Sequence, residues 1–486
     1  MADAKPGRLA AGRLGLIPTI FQSVSFLAPS FSVVGGMTAA AAYARGALTL
    51  SLFIASIAAL VGANTLFQFQ RKISSAGGYY TYVTRASGPG LGALTGWLYI
   101  LFQGFNPAGT LLFFGFVGQQ VLATGFHDHA AWTWLPFSLV AIGVVWLLSY
   151  RGIRLSIEYS MVASIAEIII FLALGVILIA GVGPHNTTAA FSPASSPTGW
   201  SGLGLGALWG YFIFVGYGGS APLGEEVRDP HRNISRGVLI AIVGMAVFYL
   251  FMGYAVTVGW GIHRMAGFAA LPLPVMTLVT DKLGTVWFWI VAVLLLNSVL
   301  GSGLAQHNAQ ARVLFSLARD KFVIPPRLAA THPRFQTPHR AILLETTVTL
   351  ILVLGLGFWI GAYGGFLLLG AFITLGNLLV HIFANYSLPK LFHRLGEFRW
   401  VWNGAMPWFA TILFLFPIYY SIFPVPSFPD NLPPYILAVW IAAGLVLYAR
   451  MRRRQPALMS RLGQLGYESG GQQDVTSDPG GTGISS

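Results

Sequence analysis

Twelve stretches of the sequence are long and apolar enough to cross a lipid bilayer, which takes about 20 mostly apolar residues. They cover residues 15–44, 47–69, 91–124, 131–150, 156–182, 203–224, 234–260, 284–318, 339–361, 363–388, 405–424 and 433–450. Backbone polar groups in lipid need partners within the protein, so these stretches predict helices. Only 9% of the residues are charged, against about 25% in soluble domains. We therefore predict an all-α polytopic membrane protein with twelve transmembrane helices.

The basic residues predict the orientation of the chain. If it crosses the membrane twelve times, all Lys and Arg residues except Arg45, Arg264 and Lys282 fall on the side of the N-terminus. Basic residues accumulate in cytoplasmic loops, so we predict a cell-membrane protein with both termini in the cytoplasm. Residues 1–14 form the N-terminal segment, and residues 451–486 a tail predicted to be disordered. The net charge of +13 follows from this loop bias, and no nucleic-acid partner is expected.

Several kinds of chemistry are excluded or disfavoured by the sequence. It contains no cysteine, which excludes disulfides and thiolate chemistry. The one close acid–histidine group, His127-Asp128-His129, falls in a predicted outer loop and is better interpreted as solvated. We expect no enzymatic activity, no cofactor and no metal site.

Two of the twelve stretches contain residues that interrupt a helix. They are Pro29, Ser30, Ser32, Gly35 and Gly36 in the first stretch, and Gly216, Gly218, Gly219 and Pro222 in the sixth. Glycine and proline are common in membrane helices, so one break alone would mean little. Two breaks five spans apart are the pattern of inverted five-helix repeats with a binding site between the broken helices. Freed amides there can bind a carboxylate, and freed carbonyls an amine or a cation.

Three motifs in the gaps between spans resemble those of the amino acid–polyamine–organocation superfamily. They are Ser75-Ala-Gly-Gly-Tyr-Tyr-Thr-Tyr82, then Gly224-Glu-Glu-Val-Arg-Asp-Pro-His-Arg-Asn-Ile-Ser-Arg236, and Asn308-Ala-Gln-Ala-Arg312 with Ala318-Arg-Asp320. The resemblance implies the LeuT fold, with ten core helices in two inverted repeats and two peripheral helices. The repeats would cover residues 15–182 and 203–388 of a core at 15–388, and the peripheral helices residues 405–450.

The resemblance also implies where a substrate would bind. Its carboxylate would meet Pro29, Ser30, Phe31, Ser32 and Val33, and its amine Phe214, Val215, Gly216, Tyr217 and Gly218. Gly216 takes the place of the family's unwound-segment glycine, and Phe212 that of an aromatic gate, although ordinary core packing also explains Phe212. Asn106 and Asn297 could line the same pocket or join helices by hydrogen bonds.

Glu167 is the candidate for proton coupling, because we count it as the one carboxyl deep within the predicted core helices. A buried carboxyl prefers to be neutral and can exchange a proton when its hydration changes. Some proton-coupled relatives place a lysine in the fifth span, which this sequence lacks, and a structural Glu167 stays an alternative. The rival coupling ion is sodium, for which the hydroxyls of Ser298 and Ser302 offer oxygen ligands.

A second pair of carboxyls lies at the predicted inner end of the sixth span. Glu225 and Glu226 neighbour Arg228 and Arg232. This favours a cytoplasmic gate or a structural ion pair over contact with substrate.

These observations predict a secondary active amino acid transporter that works by alternating access. Residues 29–33 and 212–219 contain no Asp, Glu, Lys or Arg, so we favour proton symport of a neutral amino acid, since a dication would need an acidic partner. An exchanger, a polyamine or other organic cation permease, and sodium symport are the alternatives. The expected partners are the small-molecule substrate, the coupling ion and membrane lipid.

Overall fold

The computed structural model describes residues 12, 14–423, 425, 428, 429, 431–460 and 462. Within these residues every regular element is a helix, and the one β-type contact is an isolated bridge between Leu14 and Val227. The all-α prediction is confirmed for this part of the chain. Most of the predicted N-terminal segment 1–14, and residues 461 and 463–486 of the predicted tail, lie outside the described residues.

Thirteen helices carry the architecture. They are α1 (Leu16–Leu27), α2 (Met37–Ala44), α3 (Leu48–Gln70), α4 (Tyr79–Ser87), α5 (Pro89–Phe126), α6 (Trp134–Arg151), α7 (Ile153–Val182), α8 (Trp200–Phe212), α9 (Pro230–Trp260), α10 (Thr285–Arg319), α11 (His339–Arg394), α12 (Met406–Ile422) and α13 (Leu432–Arg454). Shorter helical turns connect them, including Met265–Ala270 and Pro274–Leu283 between α9 and α10.

Nine helical segments in the described residues are long and apolar enough to span a membrane, or ten if the bent pair Ile262–Ala270 and Pro274–Leu283 is one span. Two of the nine are unusually long: Leu16–Gln70 has 55 residues and His339–Arg394 has 56. The first contains positive φ angles at Ala28 and Arg45, and the second at Gly361 (φ 78°, ψ 162°). Helix α8, with 13 residues, is too short to count alone. The number of such segments in the described residues is therefore nine or ten, against the twelve predicted stretches.

Helix α1 occupies the middle of the bundle, where it packs against α7, α9 and α10. Helix α5 runs along both α10 and α11. Large apolar side chains remain exposed on the outer faces, such as Val247 (65% exposed) on α9 and Val439 (69%) on α13. This distribution suits a protein whose outer surface faces lipid, and it leaves the centre around α1 for polar groups.

Candidate functional site

The first predicted break lies at the end of α1. Ala28 leaves the helical conformation (φ 50°, ψ 85°), although its N–H still donates to the carbonyl of Val24. The cause is Pro29, because a residue before proline is disfavoured in the right-handed helical region. The chain resumes as a helical turn at Pro29–Phe31 and continues as a π-helix over Ser32–Gly36. The break is confirmed, one residue before the proline.

Hydroxyl groups cover the carbonyls that this break frees. The carbonyl of Leu27 accepts hydrogen bonds from the hydroxyls of Ser32 and Tyr249, both at 2.6 Å. Ser32 belongs to the π-helix and Tyr249 to α9, so the broken end of α1 is held from two sides. Carbonyls at a helix end have no partner within the helix, and these bonds supply one.

Two hydroxyls of α10, predicted as alternative sodium ligands, also contact the broken segment. Ser302 donates to the carbonyl of Phe26 at 3.1 Å. Ser298 accepts a hydrogen bond from the N–H of Phe31 at 3.3 Å. Both hydroxyls thus face the first break, and both bind its backbone directly.

Glu167, on α7, is buried (1% exposed) and faces the same break. One carboxyl oxygen accepts from the backbone N–H of Ser30 at 3.3 Å, and the other from the side-chain amide of Asn297 at 2.9 Å. The side chain of Asn297 in turn accepts from the hydroxyl of Tyr159. The first N–H groups of a helix carry partial positive charge. The carboxyl therefore lies where the restarted helix attracts an anion. Three predicted residues, Ser30, Glu167 and Asn297, join in one hydrogen-bonded group.

The second predicted break begins where α8 ends at Phe212. Turns follow up to a short 3-10 segment at Ala221–Leu223, and the next helix, α9, begins only at Pro230. Gly216 has φ +106°, a conformation open mainly to glycine. The ring of Phe26 packs so closely that a Cβ on Gly216 would lie 1.8 Å from it. The two breaks are therefore in direct contact, and the second prediction of a break is confirmed.

Five aromatic rings lie beside the π-helix segment, and we call them the aromatic cluster. Phe31 packs against Phe113, Phe366 and Phe212, with ring centroids 4.9, 5.7 and 6.2 Å away. Phe212 also contacts Phe366 at 5.8 Å and Trp209 at 5.2 Å. The cluster brings the predicted gate residue Phe212 against the predicted substrate segment.

The other predicted substrate residues are buried around the two breaks or on α5. The apolar ones are Pro29, Val33, Phe214 and Val215. The amide nitrogen of Asn106 is buried and has no hydrogen-bond partner among the described residues, and the buried hydroxyl of Ser30 lies beside the carboxyl of Glu167. Buried polar groups usually have a partner, so the Asn106 nitrogen is a donor that a ligand could satisfy if the site opens.

Comparison with known proteins identifies the family of the chain. A family model described as "Amino acid permease" matches residues 28–457. The chain belongs to the amino acid permease family. An uncharacterized transporter of Mycobacterium tuberculosis (strain H37Rv) is 30% identical over 351 residues, which cover 69% of this permease and 72% of that protein.

Two further relatives carry substrate names. The branched-chain amino acid permease BcaP of Bacillus subtilis (strain 168) is 26% identical over 63% of this permease and 66% of its own length. The low-affinity putrescine importer PlaP of Escherichia coli (strain K12) is 24% identical over 78% of this permease and 80% of its own length. Family and relatives together point to a membrane transporter of small molecules.

In the permease, the carboxyls after the second break form ion pairs with α10. Arg312 donates to Glu226 through both Nε and Nη2, the latter at 3.0 Å, and both side chains are almost fully buried. Arg319 pairs with Glu225 at 2.8 Å. The predicted neighbour Arg228 is instead exposed. Both carboxyls thus form ion pairs, but their partners lie some 90 residues further along the chain and are not the neighbouring arginines that the sequence suggested.

A small cavity of about 20 Å³ adjoins the second break. Its lining includes Gly216, Tyr217 and Gly218 from the predicted list, together with Tyr79, Asn377 and His381. A volume of this size holds about one water molecule.

His381 makes hydrogen bonds to three other residues that line this cavity. It is not among the site residues predicted from the sequence. Its Nδ1 lies 2.9 Å from the carbonyl of Asn377, so this nitrogen carries the hydrogen. Its Nε2 is then an acceptor, and the hydroxyls of Tyr79 and Tyr217 lie 2.7 and 2.5 Å away. A histidine inside an apolar span is a costly residue, and that signal could have identified it.

A second deep carboxyl corrects one prediction. Glu345, on α11, is as buried as Glu167 (1% exposed), so Glu167 is not the single deep carboxyl of the core. It lies near the beginning of α11, which packs closely on α5 and α10 and thereby buries it. A Cβ on Gly104 would lie 3.8 Å from its Oε2.

Proposed function

We propose that this permease is a secondary active transporter that carries a neutral amino acid together with a proton across the cell membrane. Transport follows alternating access between states open to either side. The main support for the proposal is a hydrogen bond at the beginning of the restarted first helix. The buried carboxyl of Glu167 accepts it from the backbone N–H of Ser30.

The proposed framework is twelve spans in a LeuT-like arrangement with both termini in the cytoplasm. A straight helix of 55 residues would be about 80 Å long, far more than the roughly 30 Å of a bilayer core. The segments Leu16–Gln70 and His339–Arg394 therefore each count as two spans, divided at Arg45 and Gly361. Helix α8 and the turns after it count as a broken sixth span. The contact between Phe26 and Gly216 supports a pairing of the two broken spans.

The proposed substrate is neutral overall, with a carboxylate and an amine. The restarted helix after Ala28 offers N–H groups to the carboxylate, and the unwound segment around Gly216 offers carbonyls to the amine. The aromatic cluster supplies apolar contacts for a side chain. A relative named for branched-chain amino acids agrees with this substrate class. A dication such as putrescine would need an acidic partner, and Glu167, the carboxyl bonded to the first break, already accepts from Ser30 and Asn297.

We derive coupling of proton and substrate from the repulsion between two negative charges at one site. The substrate carboxylate and an ionised Glu167 would both lie at the beginning of the restarted helix, where like charges repel. Binding of substrate therefore favours protonated Glu167, and linkage requires that the proton in turn favours substrate. Release of the proton to the cytoplasm then promotes release of the substrate, and the reverse also holds. Joint movement of both in one direction is symport.

Sodium is less well supported by the contacts at the first break. Ser302 and Ser298 are the hydroxyls that would coordinate the ion, and both are engaged with backbone groups of Phe26 and Phe31. The carbonyl of Leu27 likewise accepts from two hydroxyls. A sodium ion would have to displace several of these bonds.

Two seals would close the site in turn. Phe212 and the aromatic cluster are proposed as the outer lid over the substrate. On the cytoplasmic side, we propose that the packing of the Phe26 ring against Gly216 closes the site. The ion pairs of Glu225 and Glu226 would stabilise this closed arrangement.

The test is uptake by purified permease in liposomes. Labelled neutral amino acids should accumulate when a proton gradient directed inward is imposed, and a protonophore should abolish accumulation. Accumulation driven by a sodium gradient, or uptake of putrescine alone, would overturn the proposal.

A further inference from the structure

A large cavity opens on the side of the bundle, away from both breaks. It lies where the end of α3, the end of α11 and the beginning of α12 meet, and its volume is about 840 Å³. We call it the lateral cavity. Its size far exceeds what a few water molecules fill.

Basic side chains dominate the charge of the lateral cavity. Arg71 and Lys72 follow α3, and Arg399 precedes α12. The one acidic residue in the lining is Glu397, which pairs with Lys72 at 2.6 Å. Three cations against one carboxylate leave a formal charge of +2, which suits an anionic ligand.

The walls of the lateral cavity are apolar, and its surroundings are typical of a membrane interface. Leu60, Leu239 and Met406 contribute to the lining. Trp402, also in the lining, is 47% exposed, and nearby Trp400 is 71% exposed. Tryptophan accumulates at the level of lipid headgroups. A ligand here would meet water-facing cations at one end and hydrocarbon at the other.

A buried polar group provides an independent sign of a ligand. Asn403 lines the lateral cavity and is 1% exposed. Its side-chain oxygen accepts from the backbone N–H of Arg399 at 2.9 Å. Its side-chain nitrogen has no hydrogen-bond partner among the described residues. Such a donor needs an acceptor, and phosphate and ester oxygens are acceptors only.

We propose that the lateral cavity binds an anionic phospholipid of the cytoplasmic leaflet. The phosphate contacts Arg71 and Arg399, and the upper acyl chains lie on the apolar walls. Basic pockets between transmembrane helices on the cytoplasmic side are suited to anionic headgroups. The cytoplasmic location rests on the proposed orientation, but the binding does not depend on the proposed transport activity.

The experiment measures lipid binding to the purified full-length permease in detergent, without any transport assay. Dioctanoyl phosphatidylglycerol is titrated and bound lipid is counted by native mass spectrometry. Dioctanoyl phosphatidylcholine tests the need for negative charge, and inorganic phosphate tests whether a free anion is enough. Phosphatidylglycerol should bind saturably and at least fivefold more tightly than phosphatidylcholine, and phosphate should not displace it.

The matched variants are two double substitutions of exposed basic residues. Arg71→Gln with Arg399→Gln removes two headgroup contacts, each worth roughly a fivefold change in affinity, and should weaken phosphatidylglycerol binding about 25-fold. Lys321→Gln with Arg327→Gln removes the same amount of charge at positions away from the lateral cavity. This control should change the affinity for phosphatidylglycerol less than twofold. A third variant, Leu239→Trp, narrows the apolar wall and should also weaken binding.

Three results would overturn the proposal. They are equal binding of the two lipids, displacement by inorganic phosphate, and unchanged binding by the Arg71 and Arg399 double variant. A second copy of the chain could cover the lateral cavity instead of a lipid. In that case Leu239→Trp will disrupt the dimer and reduce the molar mass measured by light scattering. Phosphatidylglycerol will then bind no better than phosphatidylcholine.

Discussion

The carboxyl of Glu167 accepts a hydrogen bond from the backbone N–H of Ser30, across a sequence separation of 137 residues. Ser30 lies in the first helical turn after the break at Ala28, and Glu167 on α7. A titratable group is thereby attached to the segment on which the proposed substrate carboxylate depends. Any change in the charge of Glu167 acts directly on the geometry and electrostatics of that segment.

Gly216→Ala should impair both folding and transport. The added Cβ would lie 1.8 Å from the ring of Phe26, and φ +106° is strained for alanine. Backbone strain of this kind costs about 1–3 kcal/mol, and the displaced ring adds to it. The midpoint of thermal unfolding and the uptake rate measure the effect. Gly244→Ala on α9, where a Cβ meets nothing within 4 Å, should leave both unchanged or raise stability slightly.

Glu226→Gln should strongly destabilise the permease. It leaves Arg312 buried with an unpaired charge, which costs about 3–5 kcal/mol when a buried ion pair loses one partner. The double substitution Glu226→Leu with Arg312→Met removes both charges and should recover much of the lost stability in a thermal unfolding assay. Equal stability of the wild type and Glu226→Gln would mean that the pair is solvated and weak.

The predictions from sequence succeeded for features that depend on a few neighbouring residues. Both breaks were predictable because Pro29 and Gly216 have restricted or special backbone preferences of their own. Most apolar stretches also matched helix ends to within a few residues, but the sixth, 203–224, extends past the end of α8 at Phe212, and the tenth, 363–388, stops before the end of α11 at Arg394. Arg45 and Gly361, whose φ angles are positive, interrupt the two longest segments; Arg45 directly follows the predicted stretch 15–44, and Gly361 is the last residue of the stretch 339–361.

Contacts between distant helices could not be predicted in the same way. Arg312 and Arg319 pair with Glu226 and Glu225 because α10 passes beside the second break, and local sequence does not specify this passage. The burial of Glu345 depends on how closely α11 packs on α5.

His381→Leu should destabilise the permease more than Tyr217→Phe. The leucine leaves the hydroxyls of Tyr79 and Tyr217 buried without their acceptor, at a cost of about 1–3 kcal/mol for each. The phenylalanine removes one donor and leaves the other bond in place, so its cost should be about 0.5–1.5 kcal/mol. Thermal unfolding of both purified variants measures the difference, and the reverse order would contradict the hydrogen-bond assignment.

Phe212→Ala should weaken substrate binding more than tenfold. The substitution opens the aromatic cluster on one side, because Phe212 contacts Phe31, Phe366 and Trp209. The dissociation constant of the labelled amino acid in detergent measures this effect. Phe409→Ala, at a position 50% exposed on α12, should bind substrate like the wild type. If Phe212→Ala loses stability but keeps the wild-type dissociation constant, Phe212 is a packing residue and not a lid.

The proton dependence of uptake should disappear selectively in Glu167→Gln. Glutamine keeps the shape of the side chain and can accept from Ser30, but it cannot ionise. Glu345→Gln is the matched control, because it removes the other equally buried carboxyl of the core. The measurement compares accumulation of the labelled amino acid in liposomes under an imposed proton gradient with its counterflow exchange without a gradient. We predict that Glu167→Gln loses accumulation but keeps exchange, and that Glu345→Gln keeps both. If Glu167→Gln still concentrates the amino acid as the wild type does, the residue is structural and the proposed coupling is wrong.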